Sequence, residues 1–165
     1  MIPPSNDRLA RAVEIMTGAV AMFGGFVMVL IAMLMVVSVI MRAIFNQPID
    51  GDYEITELLA VIGVLAFFPY CQQVRGHIAV PTFVEAMPAR TGYVLNLISE
   101  GIFAAILTVL TWRMAIGGFD VYHGQDVTMM LRIPLWWAYA VGAGFLALTT
   151  GVGLWRIYEI VRAGP

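Results

Sequence analysis

Long apolar runs, interrupted by short polar stretches, dominate the pattern along this chain of 165 residues. Their apolar positions neither alternate with a period of two nor form a single helical stripe, so each run is apolar on all sides and suits lipid surroundings. At about 1.5 Å per residue, runs of this length cross a hydrocarbon core of about 30 Å. The pattern predicts an all-α integral membrane protein, a single domain over residues 1–165 with four transmembrane helices at about 15–41, 55–74, 93–112 and 134–157.

A further apolar segment, at about 78–90, is too short to span a membrane and contains Pro81 and Pro88. It is predicted to lie along the membrane interface as a short amphipathic element between the second and third helices, or to form a loop that dips into the headgroups. Prolines also mark two of the spans. Pro69 is expected to kink the second helix, and Pro134 to occupy the first turn of the fourth.

Composition agrees with a lipid environment and excludes several classes of function. Hydrophobic residues make up 61% of the chain and charged residues 12%, which is about half the charged fraction usual in soluble domains. The net charge of -2 provides no basic field, so nucleic acid is not an expected partner. The single cysteine, Cys71, supplies neither a disulfide framework nor a metal-ligand spacing.

Tryptophans and arginines predict how the helices sit in the membrane. Trp136 and Trp137 lie at one end of the fourth span and Trp155 at the other, so these three are predicted membrane anchors in two interfacial belts. Six of the nine arginines flank one side of the membrane and three the other, which places both termini in the cytoplasm by the positive-inside rule. The six are Arg8, Arg11, Arg75, Arg90, Arg156 and Arg162, and the three are Arg42, Arg113 and Arg132.

Glu100 is the one charge well inside a predicted span, where an unpaired carboxylate is costly. It belongs to a stripe of polar and small residues on one face of the third helix, with Asn96, Ala104, Thr108 and Thr111 at helical spacing. Three roles stay open for Glu100. It makes a structural contact between helices or subunits, it carries protons, or it snorkels to the nearby interface.

Small residues recur at a spacing of four, which permits close approach of helices. Ala21 pairs with Gly25 in the first span, and Ala143, Ala147 and Gly151 follow one another in the fourth. Together with the polar stripe on the third helix, they predict a compact bundle with one face committed to another protein.

An acidic cluster marks the start of the second helix. Asp50, Gly51 and Asp52 supply turn and capping chemistry, and Glu54 and Glu57 follow within the first turns, where the helix dipole favours acids. This cluster is either a solvated, dipole-matched helix start, or it forms a salt bridge with Arg42 that ties the first two helices together or reaches a partner subunit.

The two histidines, His77 and His123, lie in predicted loops on opposite sides of the membrane. They form no metal-ligand pair and no nucleophile arrangement, and the sequence holds no phosphate-binding loop or nucleotide fingerprint. We therefore expect no enzymatic activity, no metal and no cofactor in this chain.

Several local motifs occur in a characteristic order. Arg42-Ala-Ile-Phe45-Asn46 follows the first helix, Tyr53-Glu54-Ile55-Thr56-Glu57 begins the second, Arg75-Gly76-His77-Ile78-Ala79-Val80 follows it, and Met130-Leu131-Arg132-Ile133-Pro134-Leu135-Trp136 precedes the fourth. In this order, and over essentially the whole chain, the sequence resembles the small permease subunit, called DctQ-like, of the tripartite ATP-independent periplasmic (TRAP) transporters. Pro81 and Tyr53 depart from the family pattern, in which an acidic residue and a tryptophan are commoner.

The resemblance implies a multi-pass protein of the bacterial inner membrane that works with two partners in addition to the lipid bilayer. One is a large, DctM-like permease subunit that holds the substrate and ion sites, with sodium as the usual coupling ion, and the other is a periplasmic, DctP-like substrate-binding protein. The complex would import an organic acid, and the small subunit would scaffold the large one. In this arrangement Arg42, Glu54 and Glu57 would organise the outer surface, and Gly76 and His77 would shape the cytoplasmic turn before the interfacial segment. Together with Asn96, Glu100 and Thr108 from the stripe on the third helix, they are the candidate residues for structural or subunit contacts.

Two rival functions belong to other classes. A self-sufficient, proton-coupled exporter would use Glu100 as its exchanging carboxylate, and would transport without any partner. A membrane anchor for a redox enzyme would need haem ligands, but no histidine lies within a predicted span.

Overall fold

The computed structural model describes residues 7–47, 49–74 and 89–163, with side chains over 11–47, 49–74 and 92–162. Four α-helices account for nearly all of these residues. Helix α1 spans Asp7–Phe45, α2 spans Asp52–Gln73, α3 spans Ala89–Gly124 and α4 spans Trp136–Ala163. Each of them is long and apolar enough to cross a membrane. The prediction of an all-α membrane protein with four transmembrane helices is confirmed.

The helices extend beyond the apolar runs that predicted them. Helix α3 continues past residue 112 to Gly124, so Arg113 and Asp120 lie within the helix instead of in a loop. A charged residue ends a hydropathy run without ending a helix, because arginine is itself a good helix former. Of the predicted interfacial segment, residues 78–88 lie outside the described part of the chain, and residues 89–90 begin α3.

The two prolines behave differently from each other. Pro69 is buried within α2, which continues beyond it to Gln73. Pro134 lies before α4 and pairs with Val127 in an isolated β-bridge, so its predicted place in the first turn of the helix is wrong. The carbonyl of Leu135 instead accepts a hydrogen bond of 3.1 Å from the backbone N–H of Ala138.

The helices pack in the order α1, α2, α4, α3, so that α2 and α4 are central and α1 and α3 are peripheral. Contacts between named residues give the directions. Gly24 of α1 lies against Gly63 and Ala66 of α2, and α1 and α2 run antiparallel. Leu65 of α2 approaches Gly142 of α4, and α2 and α4 run parallel. The peripheral helices therefore leave wide apolar surfaces for lipid or for another protein.

Glycines allow the closest helix crossings, although not at the positions that the spacing predicted. A Cβ atom at Gly24 would lie 2.8 Å from the Cβ of Ala66, so Gly24, and not Gly25, makes the α1–α2 crossing. A Cβ atom at Gly151 would meet nothing within 4 Å, and Ala147 is exposed. The predicted small-residue face of α4 therefore does not pack within the described part of this chain.

The core between α2 and α4 is small. Leu58, Ile62 and Ala138 form its centre, and Trp137 packs against them. Trp137 is therefore a core residue more than the membrane anchor that its position predicted. Trp136 remains partly exposed and meets Tyr122 edge to face, with the ring centroids 5.9 Å apart.

The connection between α3 and α4, residues 125–135, is an ordered hairpin. The N–H groups of Gln125 and Asp126 donate to the carbonyls of Tyr122 and Val121, the two bonds of a Schellman cap. Gln125 has a φ of 52°, in the left-handed region where this cap usually has glycine. Leu135 N–H donates to the carbonyl of Asp126 and closes the base of the hairpin.

Candidate functional site

Glu54 holds the α3–α4 hairpin against the start of α2. Its carboxylate accepts hydrogen bonds from the backbone N–H groups of Met130, at 2.6 Å, and of Leu131, at 2.9 Å. Hydrogen bonds to a charged acceptor are stronger than neutral ones, and this pair satisfies two backbone donors at the tip of the hairpin. Glu54 therefore binds residues far along the chain, a contact that its local sequence could not indicate.

Gly51 also contributes to the contact between the α3–α4 hairpin and the start of α2. It lies at the N-cap of α2 with a φ of 78°, a conformation that glycine adopts without steric cost. A Cβ atom here would lie 2.5 Å from side-chain atoms of Leu131, so the absence of a side chain lets the hairpin seat on the helix start. Beside it, the Ser38 hydroxyl of α1 donates to the Asp52 carboxylate. We call Ser38, Asp52 and Glu54 the hairpin-side polar layer.

A second polar layer joins the other ends of the helices. The hydroxyl of Thr17, on α1, donates to the side-chain oxygen of Gln73, on α2, and Arg156 of α4 donates from Nη2 to the backbone carbonyl of Gln73. The Gln72 side chain donates from Nε2 to Oε2 of Glu100, on α3, at 2.9 Å. All four helices are thereby linked. We call Thr17, Gln72, Gln73, Glu100 and Arg156 the terminal polar layer.

The contact between Gln72 and Glu100 crosses the surface of α4. A Cβ atom at Gly153 would lie 3.5 Å from Nε2 of Gln72 and 3.9 Å from the Cβ of Ala104. Because Gly153 has no side chain, the Gln72 side chain can pass over α4 at this position and contact α3. Gln72 is only 3% exposed, so its amide needs this partner.

The two polar layers are separated by about one bilayer. Thr17 and Ser38 both lie in α1, and their separation of 21 positions amounts to roughly 32 Å at 1.5 Å per residue. This distance matches a hydrocarbon core of about 30 Å. The spacing of the two layers is therefore close to the thickness of a hydrocarbon core, with apolar packing between them.

Of the remaining predicted site residues, those that the structure describes take no part in these layers. Arg42 and Glu57 are exposed, and within the described residues neither makes an ion pair, so the salt bridge between them is not formed inside this chain. Asn96 is half-buried. Thr108 is exposed and its hydroxyl donates to its own helix, at the carbonyl of Ala104. Gly76 and His77 lie outside the described residues.

The face of α3 that packs on α4 is shifted from the predicted stripe. Leu107 is buried there, where Thr108 was expected. Thr111 does belong to this face, since its hydroxyl lies 3.2 Å from that of Thr150 on α4. Gln72, Gln73 and Arg156, which organise the terminal layer, were not recognised as site residues from the sequence. Two adjacent amides at the end of an apolar run were the available signal.

The polar chemistry described in this chain consists mainly of hydrogen bonds within and between helices. Among the described residues there is no group of three or more histidine, cysteine, aspartate and glutamate side chains that could hold a metal ion. Hydrogen bonds tie helices, and the α3–α4 hairpin, together at both ends of the bundle. The fold defines a small, all-α membrane protein with four helices able to span a bilayer.

Comparison with known families gives this class a more specific identity. Residues 31–163 match the family model described as "Tripartite ATP-independent periplasmic transporters, DctQ component". The chain belongs to this family and is a small membrane subunit of a TRAP transporter, a family of transporter subunits and not of enzymes. No curated protein and no solved structure matches the chain.

Proposed function

We propose that this subunit is a rigid scaffold that supports a large, DctM-like permease subunit during ion-gradient-driven import of an organic acid. A periplasmic, DctP-like binding protein delivers the acid, and the large subunit carries the substrate site and the sodium coupling. In this arrangement the protein lies in the bacterial inner membrane with both termini in the cytoplasm. The terminal polar layer then faces the cytoplasm and the hairpin faces the periplasm.

The observation that carries this proposal is the bracing of all four helices by the terminal polar layer. The Gln72 side chain donates a hydrogen bond to the Glu100 carboxylate. Gln73 accepts two hydrogen bonds, one on its backbone carbonyl from Arg156 and one on its side-chain oxygen from the Thr17 hydroxyl. A helix layer fixed in this way resists relative sliding, which is the property required of the stationary part of a transporter. The wide apolar faces of α1 and α3 are suited to lipid and to a membrane partner.

The hairpin side offers a surface for the binding protein. Met129, at the tip, is 97% exposed, and Met130 and Tyr53 beside it are also largely exposed. Methionine side chains adapt to the shape of a partner, which suits a contact that forms and breaks in each transport cycle. Glu54 fixes the backbone beneath this tip, and Arg42 and Glu57 provide charge at the same end of the bundle.

The second candidate function, a proton-coupled exporter, depends on Glu100. This carboxylate is only half-buried, and it lies in the terminal layer, towards one end of the bundle. Its amide partner favours a structural role over proton exchange. A self-sufficient exporter would move substrate without any other subunit, whereas a scaffold subunit would not. One transport experiment therefore distinguishes the two functions.

The test measures uptake of organic acids into proteoliposomes under a sodium gradient. Five preparations are compared: this subunit alone, the large subunit alone, the two together, the large subunit with the binding protein, and all three together. We expect transport only from the complete set. Transport by this subunit alone, abolished by Glu100→Gln, would establish the exporter instead. Transport by the large subunit and binding protein without this chain would show that the scaffold is dispensable.

A further inference from the structure

The α3–α4 hairpin ends in a short loop whose backbone is held in place. Thr128 and Ile133 close this loop, since the backbone N–H of Thr128 donates to the carbonyl of Ile133 at 3.0 Å and the N–H of Ile133 donates to the Thr128 hydroxyl, also at 3.0 Å. Glu54 accepts the N–H groups of Met130 and Leu131 within the loop. The loop backbone is therefore anchored both at its base and near its centre.

The side chain of Met129 projects from this loop. It is 97% exposed, more than any other large hydrophobic side chain in the described part of the chain, whereas that of Met130 is 69% exposed. Because the loop is fixed through its backbone, its conformation does not depend on packing of the Met129 thioether. A chemical change at Met129 would therefore alter the surface of the hairpin and leave its fold in place.

Charged residues on either side of Met129 indicate that this loop reaches water or lipid headgroups. Asp126 and Arg132 lie three positions before and after Met129, and both are exposed. A charge held in hydrocarbon is costly. The hydrogen bonds to Glu54 also place the loop beside the hairpin-side polar layer, at one end of the bundle. The Met129 thioether is thus within reach of small water-soluble reagents.

Other exposed methionines have different surroundings in a membrane. Met22, which is 79% exposed, and Met33, which is 64% exposed, belong to α1 and lie between the two polar layers. The run from 15 to 41 carries no charge, so these two side chains face hydrocarbon once the helix crosses a bilayer. They provide an internal comparison for Met129, because all three thioethers are open on the surface of the chain and only that of Met129 lies in a polar loop.

The thioether sulfur of methionine is oxidised reversibly to a sulfoxide. A peroxide supplies the oxygen. A sulfur lone pair attacks one peroxide oxygen, the O–O bond breaks, and the departing hydroxide takes the proton from the transferred oxygen and leaves as water. Sulfur loses two electrons, and the peroxide gains them. The product is polar and chiral, whereas the thioether is apolar and flexible.

We propose that Met129 is a site of reversible oxidation by peroxide, and that its sulfoxide lowers the affinity of the hairpin for the periplasmic binding protein. An adaptable apolar side chain at the tip favours docking, whereas a sulfoxide oxygen must lose its water for the same contact to form. Oxidation thereby slows import, and reduction of the sulfoxide restores it. This inference rests on the proposed function, in which the hairpin tip faces the periplasm and contacts the binding protein.

The first measurement is peptide mapping by mass spectrometry after hydrogen peroxide is added to proteoliposomes that contain this chain and the large subunit. Hydrogen peroxide dissolves far better in water than in hydrocarbon, so Met129 should be oxidised several-fold faster than Met22 and Met33. Once the chain is unfolded in denaturant without lipid, the three should react at similar rates. Absence of oxidation at Met129 in the membrane, or oxidation of Met22 and Met33 as fast as that of Met129, would overturn the inference.

The second measurement is uptake against the concentration of binding protein. The proteoliposomes are treated with peroxide, freed of it, and then supplied with untreated binding protein. Treated wild type should need several-fold more binding protein for half-maximal uptake, and Met129→Leu should resist this change. Met130→Leu, which removes the neighbouring methionine, is the matched control and should respond as the wild type does. Reductases specific for the two sulfoxide epimers should restore the wild-type response.

The two leucine variants separate Met129 from methionines elsewhere in the complex. An equal loss in the wild type and in Met129→Leu would assign the effect to other residues and overturn the inference. Unchanged uptake by wild type that is oxidised at Met129 would overturn it as well. Met129→Gln, which places a polar side chain there without oxidation, should reproduce the treated wild type. Failure of the untreated complex to transport in the presence of binding protein would instead contradict the proposed function itself.

Discussion

The side-chain amide of Gln72 donates to the carboxylate of Glu100 across the backbone of Gly153, so three helices meet at one hydrogen bond. Helices α2 and α3 each pack on α4, and this contact is the direct polar link described between them. The hydrogen bond therefore links the α1–α2 pair directly to α3, in addition to the packing of α2 on α4.

The coupling between Gln72 and Glu100 is measurable in a double-mutant cycle. Gln72→Leu, Glu100→Leu and the double variant should show a favourable coupling free energy of about 0.6 to 1.7 kcal/mol, the range seen for hydrogen bonds between membrane helices. The measurement is unfolding of the purified subunit in detergent. Strictly additive effects would mean that the bond contributes nothing to stability.

The α1–α2 crossing depends on Gly24. Gly24→Ala would place a Cβ atom 2.8 Å from the Cβ of Ala66 and 3.0 Å from the carbonyl oxygen of Gly63, and neither neighbour is a flexible side-chain end. We expect a loss of about 1 to 3 kcal/mol in the free energy of unfolding, as overpacking usually costs. Gly18→Ala is the control, because a Cβ atom there meets nothing within 4 Å. Equal stability of the two variants would contradict the crossing.

Hydropathy predicted the four helices because each must be apolar over a bilayer thickness, whatever its neighbours are. It placed the end of α3 too early because it treats a charge as the end of a span. Arg113 was consequently assigned to an outward flank, although the helix continues to Gly124. Without Arg113, the arginine count that supports cytoplasmic termini becomes six against two.

Contacts between helices were harder to predict, because adjacent residues differ by about 100° around a helix axis. Spacing alone therefore did not distinguish Gly24 from Gly25, or Leu107 from Thr108, and the structure selects the first of each pair. The contact between Glu54 and the hairpin could not be predicted from the sequence, for a different reason. Its partners are backbone N–H groups of a hairpin 76 residues away, and backbone donors carry no sequence signal.

The left-handed conformation of Gln125 is a local weakness in the cap of α3. Its φ of 52° costs a residue with a side chain about 1 kcal/mol or more relative to glycine. Gln125→Gly should therefore raise the free energy of unfolding by roughly that amount, less the greater entropy of glycine in the unfolded chain. Gln125→Ala serves as control, since alanine bears the same backbone cost. A gain from alanine equal to that from glycine would show that the backbone conformation is not responsible.

The hydrogen bonds from the hairpin backbone to Glu54 predict that mutation of Glu54 changes the hydrogen-exchange rates of specific hairpin amides. Glu54→Ala removes the acceptor for the N–H groups of Met130 and Leu131, so both amides should exchange measurably faster, because each loses its hydrogen bond to the carboxylate. Glu57→Ala, one turn further along α2 and exposed, should leave both rates unchanged.

The same two variants connect the hairpin to transport. If the hairpin tip meets the binding protein, Glu54→Ala should weaken uptake at low concentrations of binding protein and recover as its concentration rises, because a loosened tip binds less tightly without altering the large subunit. Uptake measured against binding-protein concentration in proteoliposomes distinguishes these cases. A defect that persists at saturating binding protein would place the role of Glu54 in the scaffold itself, and not in the docking surface.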